Sequence, residues 1–186
     1  MHYRLTLVSA LCCAMAAPAR GQTPLSPPES VATQFVGTMR ALDWTGMARL
    51  MHPSALHQLR ELLAVLIEAP GADDLRQQLL GVRSVAAAES LSDTAVFAGL
   101  MHATLERDQG LADVMKSARM QVLGHINEGP DTVHVLYRMT LVVDSTPITR
   151  MDVASFARSP IGWRGLLKGD VTALAARLRR MLPRAN

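Results

Sequence analysis

Two side chains in the second half of this sequence have the types that proton chemistry uses, Tyr137 and Asp152. A tyrosine hydroxyl can donate to a developing oxyanion. A carboxylate buried in a dry pocket has its pKa raised towards neutrality, where it serves as a general base. Both residues fall on segments expected to be neighbouring strands, so the pair can converge. The plainer reading is preferred: Tyr137 is a core residue with its hydroxyl at the rim, and Asp152 is a solvated strand residue.

Five histidines, His52, His57, His102, His125 and His134, lie beyond the N-terminal segment. None has the four-residue helical spacing of paired metal ligands, and Met51-His52 and Met101-His102 project about 100° apart on a helix. Ordinary hydrogen-bonded or exposed histidines are expected, with no metal and no cofactor. Nine methionines but only six aromatic residues remain beyond residue 21. Flexible methionines filling gaps in an aromatic-poor core is the preferred account. The sharper one is an adaptable cavity for a small apolar ligand, lined by Phe35, Met39, Trp44, Tyr137, Met139 and Trp163. No glycine-rich phosphate loop, Gly-x-Ser-x-Gly elbow or His-Glu-x-x-His motif is present.

The N-terminus reads as a signal peptide over residues 1–21, with a basic start at Arg4, an apolar run from Leu5 to Ala17, and small residues before Gly21. That run is shorter than the roughly 20 residues a spanning helix needs, and no later segment spans, so no transmembrane segment is expected. Leu11 before Cys12 argues against a lipid anchor. Cleavage removes both cysteines, and an exported chain without thiols or disulfides follows. It also removes Arg4 and Arg20, leaving 17 basic against 16 acidic residues and lowering the formal net charge from +3 to +1. A phosphate-tracking surface wants a clear basic excess, so nucleic acid is excluded as a partner.

The elements that must position these residues follow from periodicity. Residues 22–28 form a proline-rich leader, and one domain is expected over residues 29–182. Ser26-Pro27-Pro28-Glu29 has the form of a capping box opening a helix with Val31, Phe35, Met39 and Leu42 on one stripe. Asp43 is expected to cap a second helix, broken at His52-Pro53. A third helix carries Leu56, Leu59, Leu63 and Leu66, and a short one follows near Asp74 to Leu80. Gly81 to Ser90 has no readable structure. Ser92 caps a helix to about Glu106, and Leu111 to Ser117 adds a turn or two.

From Met120 the apolar spacing changes to two. Thr132 to Val143 reads as the strongest strand, with Val133, Val135, Tyr137, Met139, Leu141 and Val143 on one face. Its other face, His134, Leu136, Arg138, Thr140 and Val142, is half apolar, and a homodimer through it is expected. Turns at Glu128-Gly129-Pro130-Asp131, Asp144-Ser145-Thr146-Pro147 and Ser159-Pro160-Ile161-Gly162 make a meander. A terminal helix from Asp170 carries Arg177, Arg179, Arg180 and Arg184 opposite an apolar stripe. It is read as docked, with its arginines in water, in preference to lying on an anionic membrane. Helices first and strands second imply an α+β domain, the N-terminal helices packed on a C-terminal antiparallel sheet.

The segment from Ala41 to Leu56, Ala-Leu-Asp-Trp-Thr-Gly-Met-Ala-Arg-Leu-Met-His-Pro-Ser-Ala-Leu, followed by a meander ending Ile161-Gly162-Trp163-Arg164-Gly165-Leu166-Leu167, resembles the nuclear transport factor 2-like superfamily. That group includes ketosteroid isomerases and polyketide cyclases. The resemblance implies a curved, cone-like sheet wrapped around helices with a pocket at the open end of the cone, where isomerase-like members place a carboxylate base and a hydrogen-bond donor, often tyrosine. Such a fold hosts enzymes, carriers and structural modules alike. The expected function is an exported, non-enzymatic domain binding a small molecule or a protein. Its rivals are a pocket enzyme of isomerase, dehydratase or cyclase type using Tyr137 and Asp152, and an envelope-associated structural protein.

Overall fold

The computed structural model describes residues 26–106 and 108–168. The expected signal peptide, most of the proline-rich leader and the terminal helix with its arginines lie outside the described residues. What is described is α+β: helices in the first part of the chain, packed against a four-stranded antiparallel sheet in the second.

Helix α1, Pro28–Arg40, begins where Pro28 presets the first helical φ, one residue before the expected domain boundary. The expected capping box does not form. Pro27 occupies the cap, which has no side-chain bond, and the Glu29 carboxylate pairs with His125 instead. Pro28, Val31, Ala32 and Val36 are its buried residues. Leu42 leaves the stripe, because the chain has already turned to a φ of 52° there.

Helix α2, Trp44–Leu50, is capped as expected, the Asp43 carboxylate accepting the Gly46 N–H at 2.7 Å. His52-Pro53 separates it from α3, Pro53–Glu68, whose Leu56, Leu59, Leu63 and Leu66 are all buried. Helix α4, Asp73–Leu80, ends on Gly81 at a φ of 76°, a left-handed position that glycine adopts without strain. The stretch without readable structure contains α5, Val85–Glu89, opened by the Ser84 hydroxyl accepting the Ala87 N–H. The helix expected from Ser92 to Glu106 is two pieces: α6, Asp93–Met101, passes into a π-helix over His102–Glu106. Helix α7, Gln109–Lys116, is capped by Asp108.

Two arginines tie the helical layer together by filling helix ends. Arg60 of α3 donates to the carbonyls of Glu89, the last residue of α5, and Leu91, just past it, at 2.7 and 2.5 Å. Arg76 of α4, 1% exposed, donates to Ala69, Leu66 and Ile67 at the end of α3 and to Arg83 beyond α4. Those are carbonyls that a helix terminus leaves without an internal partner.

The strands are β1, Arg119–Glu128; β2, Thr132–Val143; β3, Thr146–Ser159; and β4, Gly162–Gly165, in spatial order β1-β2-β3-β4. The meander is thus as expected from the three turn signals. Asp144 and Ser145 connect β2 to β3 with φ of 47° and 65°, the backbone of a two-residue hairpin loop with both centres left-handed. Register settles the faces. Cross-strand partners share a face, so Val133–Phe156, Val135–Ala154, Tyr137–Asp152 and Met139–Arg150 lie on the side that meets the helices. The register of β1 shifts between Val122 and Gly124, where a residue is interposed.

The core has two parts. One is helical, built on Leu59, Leu63, Ile67, Val96, Phe97 and Leu100, and the other joins Val31 and Ala32 of α1 to Val133, Val135 and Phe156 of the sheet. Phe35 packs against both, meeting Phe156 edge-on at 6.0 Å between ring centres. Gly165 permits this approach: a Cβ there would lie 2.6 Å from the Phe35 ring. The same residue accepts the His52 N–H at 2.8 Å, joining the end of β4 to the start of α3.

Candidate functional site

Between the helical and sheet parts of the core lies a cavity of about 310 Å³. Helix α1 contributes Phe35 and Met39, the end of α2 contributes Met47 and Met51, α6 contributes Phe97 and Met101, and the sheet contributes Met120, Tyr137, Met139, Ala154 and Phe156. Six methionines thus face one space. Each element has its own reason to turn a side chain there: helical spacing of three and four on α1, and the inner face of the pleat on β1, β2 and β3. Unbranched thioethers adapt to the shape of an occupant, which stiff β-branched chains do not.

Among the described residues this wall has three polar members, Tyr137, Ser155 and Lys168, and the Ser155 hydroxyl is engaged with His134 at 2.9 Å. Lys168, just past β4, donates from Nζ to the Tyr137 hydroxyl at 2.6 Å and to Asp152 Oδ2 at 2.7 Å. Its ammonium also sits 5.2 Å from the centre of the Tyr137 ring. Asp152 Oδ2 accepts a further bond from Arg150 at 3.0 Å, and Oδ1 accepts the Val153 N–H at 2.8 Å. Tyr137 is buried, while the side chains of Lys168 and Asp152 are 35% and 27% exposed.

The protonation of this cluster differs from the raised carboxyl that the pocket-enzyme reading requires. Burial does push Asp152 up, but the bonds from Lys168 and Val153 and the charges of Lys168 and Arg150 outweigh it, so its pKa lies below the ordinary carboxylate value. Burial likewise pushes Lys168 down, and its bonds and charge interactions with Asp152 and Tyr137 outweigh that, so its pKa is raised. A carboxylate held by two cations is a poor proton acceptor. A lysine held charged at a cavity wall is a fixed donor.

No family model matches the chain, and neither a curated protein nor a solved structure matches it. Function must therefore be argued from the site itself.

Of the residues named from sequence, Phe35, Met39, Tyr137 and Met139 line the cavity together. Tyr137 and Asp152 are directly opposed across β2 and β3 and share Lys168. Trp44 and Trp163 stand elsewhere. Trp44 is buried beside a different hollow, shared with Asp43, Gln78 and His102. Trp163 packs at the other end of the sheet and carries the Arg158 guanidinium 4.6 Å above its ring centre. The histidines are dispersed: His52 bonds Ser54, His57 faces Glu61 and Asp93, and His134 lies between Ser155 and Glu128. Among the described residues no three His, Cys, Asp or Glu side chains gather into a possible metal site.

Sequence reasoning missed Lys168. A signal was available in composition: the chain has only two lysines, Lys116 and Lys168, against 17 arginines. A lysine directly after Leu166 and Leu167 puts a flexible ammonium where an apolar strand ends. Periodicity gives no hint that this ammonium reaches back to β2 and β3.

Proposed function

We propose that this chain is an exported, non-enzymatic binding domain for a small apolar ligand, of the nuclear transport factor 2-like kind. The observation that carries the reading is the methionine-rich cavity of about 310 Å³ with Tyr137 and Lys168 joined on its wall. Ligand sites are typically concave, mostly apolar and given orientation by a few polar groups, and this one has that constitution. The four-stranded meander facing helices supports the family assignment. The depressed Asp152 pKa favours binding over proton abstraction.

The volume corresponds to about ten water molecules in the liquid, hence a ligand of roughly ten non-hydrogen atoms. At typical efficiencies such a ligand binds with a Kd on the order of tens of micromolar. Native mass spectrometry of the purified protein is expected to show a bound molecule, and titration with decanol to give saturable binding. Ala154→Leu projects three further carbons into the cavity and is expected to weaken decanol at least tenfold. Failure of decanol and of every co-purified molecule to bind, with Ala154→Leu indifferent, would refute the cavity reading.

A homodimer through the outer face of the sheet belongs to the same proposal. Ile126, Val142, Met151 and Val153 are all at least 40% exposed, and Ile126, Met151 and Val153 belong to the face turned from the helices. A second copy would cover them. Sedimentation velocity is expected to show a dimer that Val153→Lys dissociates, and a single monomeric species at the highest attainable concentration would remove this part. Among the described residues no helix is long and apolar enough to cross a membrane.

A further inference from the structure

An ammonium has three N–H donors, and Lys168 uses one on the Tyr137 hydroxyl and one on Asp152. Among the described residues nothing accepts the third, which is open to an occupant of the cavity that Lys168 lines. Because the Tyr137 oxygen accepts from Lys168, its own O–H is the donor that is left over, and Tyr137 lines the same cavity. Charge points the same way: Lys168 and Arg150 are two cations around the single carboxylate of Asp152. Asp152 is already answered by its own contacts, and among the described residues one positive charge of the two is left without an anion.

We propose that the cavity takes a medium-chain monocarboxylate, its hydrocarbon chain among the methionines and its carboxylate accepting from Lys168 Nζ and the Tyr137 hydroxyl. Two acceptor oxygens meet two donors, and a charge-assisted pair of this kind is stronger than a neutral one. Asp152 is a positioning residue: together with the Tyr137 ring it holds the lysine at the wall. About ten non-hydrogen atoms of capacity set the length class. Nothing covalent occurs, and the ligand leaves as it came. The inference rests on the cavity reading above and specifies the ligand that cavity selects.

The test compares decanoate with decanol, both below their aggregation limits, by isothermal titration at neutral pH. Wild-type protein is expected to bind decanoate at least tenfold more tightly than decanol. Lys168→Met should bind decanoate no more tightly than decanol, Lys168→Arg should recover part of the preference, and Tyr137→Phe should reduce it several-fold. Circular dichroism and a thermal melt establish that each variant is folded. If decanol binds and decanoate binds no better, the head-group assignment falls while the cavity reading stands. If neither binds, the cavity reading itself falls and takes this inference with it. A preference that survives in folded Lys168→Met overturns the role of Lys168.

Discussion

Replacing Arg76 by methionine is expected to lower the free energy of unfolding by about 3 kcal/mol, because several buried carbonyls lose their donor at once. The guanidinium is 1% exposed and has a full set of partners. Its Nε meets the Arg83 carbonyl at 2.7 Å, its Nη1 meets Ala69 at 2.7 Å with Leu66 and Ile67 at 3.3 and 3.4 Å, and its Nη2 pairs with Asp73. Methionine fills similar volume without a donor, so the loss reports hydrogen bonding and charge in place of packing. The site is also the C-terminal end of α3, where aligned carbonyls favour a cation. Lys at this position keeps the charge but lacks the planar fork, and is expected to recover less than half of the loss. Urea unfolding of the three proteins measures this directly. A midpoint for Arg76→Met within about 0.5 kcal/mol of wild type would mean that water takes over the guanidinium's partners.

Phe156→Ala should cost about 3–5 kcal/mol, towards the upper end of that range. Phe156 is 1% exposed, lies edge-on to Phe35 and pairs with Val133 across the sheet. The upper end is expected because the ring borders an existing cavity: deleting it enlarges a space whose walls are held by α1 and the sheet. Phe156→Leu should cost about half as much. Addition of an apolar ligand should return part of the loss to Phe156→Ala through preferential binding to the folded state. Denaturant curves with and without decanol read both effects. A cost below about 1 kcal/mol would show that the interior closes over the deletion.

Local signals were legible wherever local energies decide. Asp43, Ser92 and the Pro53 break act within one turn of helix, and each stands where its residue type places it. Leu56, Leu59, Leu63 and Leu66 repeat at three and four and are all buried. The capping box at Ser26 to Glu29 had the right letters but did not form: the helix begins one residue later with Pro27 at the cap, which has neither N–H nor side-chain acceptor, and Glu29 pairs with His125, 96 positions away. Helix α5 was unreadable for a related reason. Five residues have too little periodicity to register, and the carbonyls at its end are filled by Arg60 of another helix.

The site divides along the same line. Residue types and the spacing of two placed Tyr137 and Met139 on one face of a strand, and helical spacing placed Phe35 and Met39 together, so two halves of the cavity lining could be read separately. Whether those halves enclose a space, which tryptophan borders it, and how Asp152 titrates depend on distances between elements far apart in the chain. Periodicity determined the α+β class and the apolar faces of α3 and β2, since burying apolar surface is a requirement those segments meet through their own pattern. Only the tertiary structure set the register that opposes Tyr137 to Asp152 and brought Lys168 between them. The charge on that cluster is a property of three groups within hydrogen-bond reach, and chain connectivity does not encode such a distance until the sheet has formed.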